Sequence, residues 1–106
     1  NVGMGEMKKW VAWYEQVFQF VVTRRFNIRT ERTGLISDVV QSPDYRIKLP
    51  INEGSEETSQ IQEFVNRMKG PGVQHLAFLT TGIIDTLTKL REEKFKFLTV
   101  PHTYYE

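Results

Sequence analysis

The sequence predicts an α+β fold, on three observations. An amphipathic helical stripe opens the chain, three β-rich runs separated by turn residues follow it, and helical and strand-like segments alternate from there to the end. Met7, Trp10, Val11, Tyr14, Val17 and Phe18 recur at the spacing of one helical face, with Lys8, Lys9, Glu15 and Gln16 on the other, so a first helix is expected here. Trp13 lies off that stripe and is expected to meet a neighbour.

The period then changes. Phe20-Val21-Val22-Thr23 and Phe26-Asn27-Ile28-Arg29 are rich in β-branched and aromatic residues and predict one or two strands, and Leu35 to Val40 predicts another after Thr33-Gly34. Ser42-Pro43-Asp44 is turn chemistry, and Tyr45 to Asn52 alternates as the second arm of an antiparallel hairpin. Pro50 cannot donate to a ladder, which places it at an edge, a bulge or a strand end. Glu53 to Thr58 is polar and predicts a solvated loop, with its acidic run serving solvation; Arg32 and Asp38 are likewise read as solvent-facing charges.

Ser59-Gln60-Ile61-Gln62 fits a capping box, in which Ser59 and Gln62 satisfy each other's backbone donors. Ile61, Phe64, Val65 and Met68 mark the stripe of a short second helix that Gly70-Pro71 should end. Val73 to Thr80 then predicts a strand, Ile83, Ile84, Leu87 and Leu90 a third helix reaching about Lys94, and Lys94 to Phe97 a last strand. This order suggests a β-α-β-β-β unit without its first strand (residues 1–56), a connecting helix (57–72) and the start of a second unit (73–106).

With 106 residues the chain is one domain's worth at most. A net charge of +1 with scattered basic residues gives no electrostatic footprint for a nucleic acid. Cysteine is absent, so any metal must be held by imidazole and carboxylate. No apolar run approaches bilayer length and no leader pattern opens the chain, so no membrane association and a cytoplasmic location are expected.

His75 is one of two histidines and sits in the apolar run Val73 to Phe78. A buried imidazole needs partners on both nitrogens; protein groups alone can supply them, or a metal ion can take one. Taken alone, His75 favours the first reading. His102 is read as a loop histidine.

Several blocks taken together change that balance. Val11-Ala12-Trp13-Tyr14-Glu15 with Phe18, Arg29-Thr30-Glu31, Thr33-Gly34-Leu35, Ser42-Pro43-Asp44, Ile47 through Glu53, Ser59 through Phe64, Gly70 through His75, and Pro101 with Thr103-Tyr104-Tyr105 occur in order along the chain. In this the sequence resembles the 4-hydroxyphenylpyruvate dioxygenase family. The resemblance implies a vicinal oxygen chelate fold, with β-α-β-β-β modules curling into a half-open barrel that is incomplete here. It implies an iron(II) enzyme turning 4-hydroxyphenylpyruvate and O2 into homogentisate and CO2 in tyrosine breakdown. Fe(II) would be the cofactor, His75 one of its three ligands, and the other histidine and the glutamate would lie outside this chain. By the same resemblance Ser37, Pro50, Asn52, Gln60 and Gln74 are substrate-binding residues. Pro50 and Asn52 share a strand face, whereas Gln74 and His75, as neighbours on a regular strand, should point to opposite faces.

The partners implied are a 2-oxo acid, O2 and further copies of the intact protein, as a dimer or tetramer. The 106 residues alone are expected not to turn over substrate. A hydroxymandelate synthase-type enzyme and a metal-free binding module of the same fold are the alternatives; the block Leu49-Pro50-Ile51-Asn52-Glu53 resembles the ring-hydroxylating type.

Overall fold

The computed structural model describes residues 1–29 and 33–104; Arg32, read above as a solvated charge, lies outside them. The chain divides into two compact units, Asn1–His75 and Leu76–Glu106.

The first unit begins with helix α1 (Met7–Phe18). Strands β1 (Val21–Arg29), β2 (Gly34–Gln41) and β3 (Lys48–Gly54) follow as an open antiparallel sheet in the order β1-β2-β3, and helix α2 (Gln60–Met68) packs against β3. The two β-rich runs after α1 form one strand, with a register irregularity between Val22 and Arg24. In the hairpin the second arm starts at Lys48, because Tyr45 adopts a left-handed conformation (φ 62°) inside the turn.

The core lies between α1 and one sheet face. Val2, Met7, Val11, Val40 and Ile51 are buried there, with Trp10, Tyr14, Phe20, Val22, Ile36 and Leu49 packed around them. The stripe predicted for α1 is therefore buried at its start and middle, whereas Val17 and Phe18 are exposed. Trp13 meets Trp10, Tyr14 and Phe18 edge-on, with ring centroids 6.2, 4.9 and 5.5 Å away.

Asp38 corrects the expectation of a solvated charge. Its side chain alternates with Ile36 and Val40 onto the α1 face and is only 3 % exposed. Arg25, its partner across the β1–β2 ladder, places Nε 3.3 Å from Asp38 Oδ1 as an ion pair, although that oxygen accepts no aligned hydrogen bond.

Pro50 sits within β3, and the ladder explains how. The Ser42 N–H donates to the Ile47 carbonyl and the Ser55 N–H to the Gly34 carbonyl, which fixes the even-numbered residues of β2 as the hydrogen-bonded positions. Pro50 opposes Val39, a position between those bonds, so its missing donor faces the outer edge of β3 and costs no β2–β3 bond. On that outer edge Val2 forms a parallel bridge to Glu53, its N–H donating to the Asn52 carbonyl at 2.9 Å.

The polar segment after β3 is tied down, contrary to a purely solvating role. Glu53 Oε2 accepts from the Met7 N–H at 2.8 Å and Glu56 Oε1 from the Gly34 N–H at 2.9 Å. Ser59, fully buried, caps α2 by accepting from the Gln62 N–H at 3.1 Å. The reciprocal half of the box is absent: Gln62 Oε1 accepts from Met4 and Gln62 Nε2 donates to Asn66. Helix α2 ends at left-handed Lys69 (φ 60°), one residue before the expected glycine, with the Gly70 N–H donating to the Val65 carbonyl at 3.0 Å.

In the second unit, helix α3 (Ile83–Glu92) forms where the apolar spacing placed it, and Lys94 turns left-handed after it. Val73 to Thr80 and Lys94 to Phe97 carry no ladder hydrogen bonds and are not strands. A strand needs a partner, and these segments find none among the described residues. A short 3-10 turn spans His102–Tyr104, with His102 exposed.

Candidate functional site

The sheet has a second face, turned away from α1. Because Ile36, Val40, Leu49 and Ile51 point into the core, Ser37, Val39, Pro50 and Asn52 alternate to the other side. Across that face Phe26, Ser37 and Asn52 stand in one row, and Arg24, Val39 and Pro50 in the next. Three of the residues singled out from the sequence are thus brought together by register. Ser37 is 5 % exposed, Asn52 half-buried and Pro50 exposed. A hydroxyl beside a carboxamide, flanked by a rigid ring, offers donors and acceptors that can orient a small polar ligand.

Asn52 is itself held. Its Nδ2 donates to Asn1 Oδ1 at 3.2 Å, while the Asn1 amino group donates to the Gly72 carbonyl at 2.9 Å and the Gly72 N–H returns a bond to the Asn1 carbonyl at 3.0 Å.

Gln74 and His75 follow Gly72. Both are exposed, and Gln74 Oε1 accepts a hydrogen bond from His75 Nδ1. The segment makes no ladder, so strict alternation does not apply and the two side chains meet, unlike the opposed pair expected of a regular strand. A carbonyl oxygen can only accept, so this contact is satisfied by the tautomer that carries the ring proton on Nδ1 and leaves the lone pair on Nε2. That is the tautomer in which a histidine can bind a metal through Nε2. His75 is nevertheless one ligand: among the described residues no three histidine, aspartate or glutamate side chains are grouped to hold a metal. The described residues do not by themselves fit an iron centre.

Gln60 stands at the start of α2 and is exposed. A groove of about 600 Å3 opens beside the start of α1 and α2, with Gly3, Glu6, Gln62, Lys69 and Pro71 in its walls; it includes none of the predicted site residues. Asn1 and Phe26 join the site only through register and side-chain contact, and the pairing of Phe26 with Ser37 could have been found by setting Arg29 opposite Gly34.

The fold and this face define a class. The family model for the Glyoxalase/Bleomycin resistance protein/Dioxygenase superfamily matches residues 1–106, and the chain belongs to that superfamily. Within it, the chain is 45 % identical over its full length to the 4-hydroxyphenylpyruvate dioxygenase of Legionella pneumophila (strain Corby), and 42 % identical over its full length to that of Pseudomonas aeruginosa. It is 47 % identical over 93 % of its length to the 4-hydroxyphenylpyruvate dioxygenase of Dictyostelium discoideum. It spans 30 % of the length of the first two and 28 % of the third. Among solved structures, a mutant of 4-hydroxymandelate synthase from Streptomyces coelicolor matches with a TM-score of 0.78 and 26 % identity, over 98 % of this chain and 31 % of that one. Methylmalonyl-CoA epimerase from Mycobacterium tuberculosis shares the fold alone, at TM-score 0.62 and 17 % identity, over 92 % of this chain and 63 % of that one.

Proposed function

We propose that the chain is part of the catalytic region of a longer 4-hydroxyphenylpyruvate dioxygenase. In this reading the parent protein takes 4-hydroxyphenylpyruvate and O2 to homogentisate and CO2 in tyrosine breakdown. It is an iron(II) enzyme of the cytoplasm, assembled from identical subunits. The observation that carries the reading is the 45 % identity to a named dioxygenase, held over the full length of the chain.

The chain's own residues have distinct tasks. Ser37 and Asn52 hydrogen-bond and orient the 2-oxo acid, Pro50 forms a rigid wall, and Gln60 and Gln74 close the polar boundary. His75 would supply one imidazole to the iron, with Gln74 hydrogen-bonded to its Nδ1. The other two ligands come from outside the chain, and the 106 residues alone do not turn over substrate.

A second reading, a hydroxymandelate synthase-type enzyme, is favoured by the structural match to 4-hydroxymandelate synthase. Oxygen uptake by the longer protein with 4-hydroxyphenylpyruvate, followed by chromatography of the products, separates the two. Homogentisate is the expected product. Hydroxymandelate would support the second reading, and binding without oxygen uptake or bound iron would leave a metal-free binding module.

A further inference from the structure

We propose that Asn1 is a positioning residue for the same site, acting through Asn52; this rests on the dioxygenase reading. Asn1 meets two parts of the site with two different groups. Its side-chain oxygen accepts from Asn52 Nδ2 at 3.2 Å, and its backbone exchanges two hydrogen bonds with Gly72, three residues before His75.

The donor and acceptor roles give the contact its consequence. A carboxamide whose NH2 is engaged by Asn1 has its rotation about the side chain fixed, so its carbonyl oxygen keeps one direction. Asn52 stands directly across the ladder from Ser37, and the fixed carboxamide therefore keeps a set orientation beside that hydroxyl. Without the Asn1 oxygen, Asn52 is free to rotate and exchange its acceptor for its donor. The double backbone bond to Gly72 does not depend on the Asn1 side chain. A substitution at Asn1 thus releases Asn52 while leaving the clamp on the segment before Gln74 and His75 in place.

The test uses the longer protein. Asn1→Leu keeps the side-chain size and removes the acceptor, whereas Asn1→Asp retains it. Asn1→Leu is expected to lower kcat/KM by roughly 10-fold, with Asn1→Asp within about 3-fold of the unaltered protein. In an Asn52→Ala background Asn1→Leu is expected to change kcat/KM by less than about 2-fold, since its partner is already gone. An equal loss in both backgrounds overturns the proposal, because it shows Asn1 acting on something other than Asn52. The side-chain amide resonances of Asn52 supply a readout independent of turnover: they should shift in Asn1→Leu and hold near their original place in Asn1→Asp. Resonances unmoved by Asn1→Leu overturn the proposal even if the protein has no dioxygenase activity. Activity lost from the unaltered protein, with those resonances moving as expected, overturns the functional reading instead.

Discussion

Glu53 reaches across from β3 to the first turn of α1, its Oε2 accepting from the Met7 N–H at 2.8 Å. The bond joins the core helix to the outer strand and places a carboxylate at the positive end of the helix dipole. It also satisfies a donor that no residue within the helix can reach, and the side chain of Glu6, at the cap position, accepts no N–H of the helix. Glu53→Ala is therefore expected to destabilise the chain by about 1.5 kcal/mol, read as a lower midpoint in urea. A loss under about 0.3 kcal/mol would show that water replaces the carboxylate at no cost.

Ser59 is fully buried and caps α2. Ser59→Ala should cost about 1 kcal/mol in the same measurement. Gly54 has no space for a side chain, since an added Cβ would collide with Ser59 Oγ. Gly54→Ala should accordingly be destabilising, and less so in a Ser59→Ala background, where the colliding oxygen is gone.

Asp44 responds to acid. Hydrogen bonds from the Ser42 hydroxyl at 2.7 Å and from the Arg46 N–H at 3.2 Å hold its pKa below the ordinary value of 3.8. Because the folded pKa is the lower one, the stabilisation is fully present above pH 3.8 and is lost as the pH falls through the depressed value. The stability difference between the unaltered chain and Asp44→Ala should then be constant near neutral pH and shrink on acidification. A difference that grew toward acid would contradict the sign.

His75 is expected to be needed for metal in the longer protein. Removing a partner hydrogen-bonded to a ligand commonly costs about 10- to 100-fold in affinity, and removing the ligand should cost more than about 100-fold. Iron analysis of His75→Ala after dialysis should find the metal gone, and Gln74→Leu should retain part of it. Full iron occupancy in His75→Ala would remove this residue from the metal site.

Much of the fold was legible because helices are local. The apolar spacing at Met7, Trp10, Val11 and Tyr14 predicted α1, and Ser59 with Ile61, Phe64 and Val65 predicted α2, since each helical bond joins residues four apart. Strands were legible where their partner lay a turn away, as in β2 and β3. Val73 to Thr80 has the same composition but no ladder, because β-propensity expresses itself only when another strand offers its backbone. Asp38 departs from its expected place for a related reason. Its charge suggested solvent, but alternation between Ile36 and Val40 carries it under α1, where Arg25 is its counter-ion.

What the sequence determined by itself was residue chemistry and local periodicity: the helices, the Ser42-Pro43-Asp44 turn, and the ordered blocks that place the chain beside the dioxygenases. Tertiary structure alone decided which side chains share a face. The register of β2 against β3 sets Ser37 opposite Asn52, and the edge pairing of Val2 with Glu53 brings Asn1 to Asn52. The physical reason is range. Propensity and capping act within a few residues, whereas register is fixed by hydrogen bonds and core burial between segments far apart in the chain, and a slip of one residue would reverse every face.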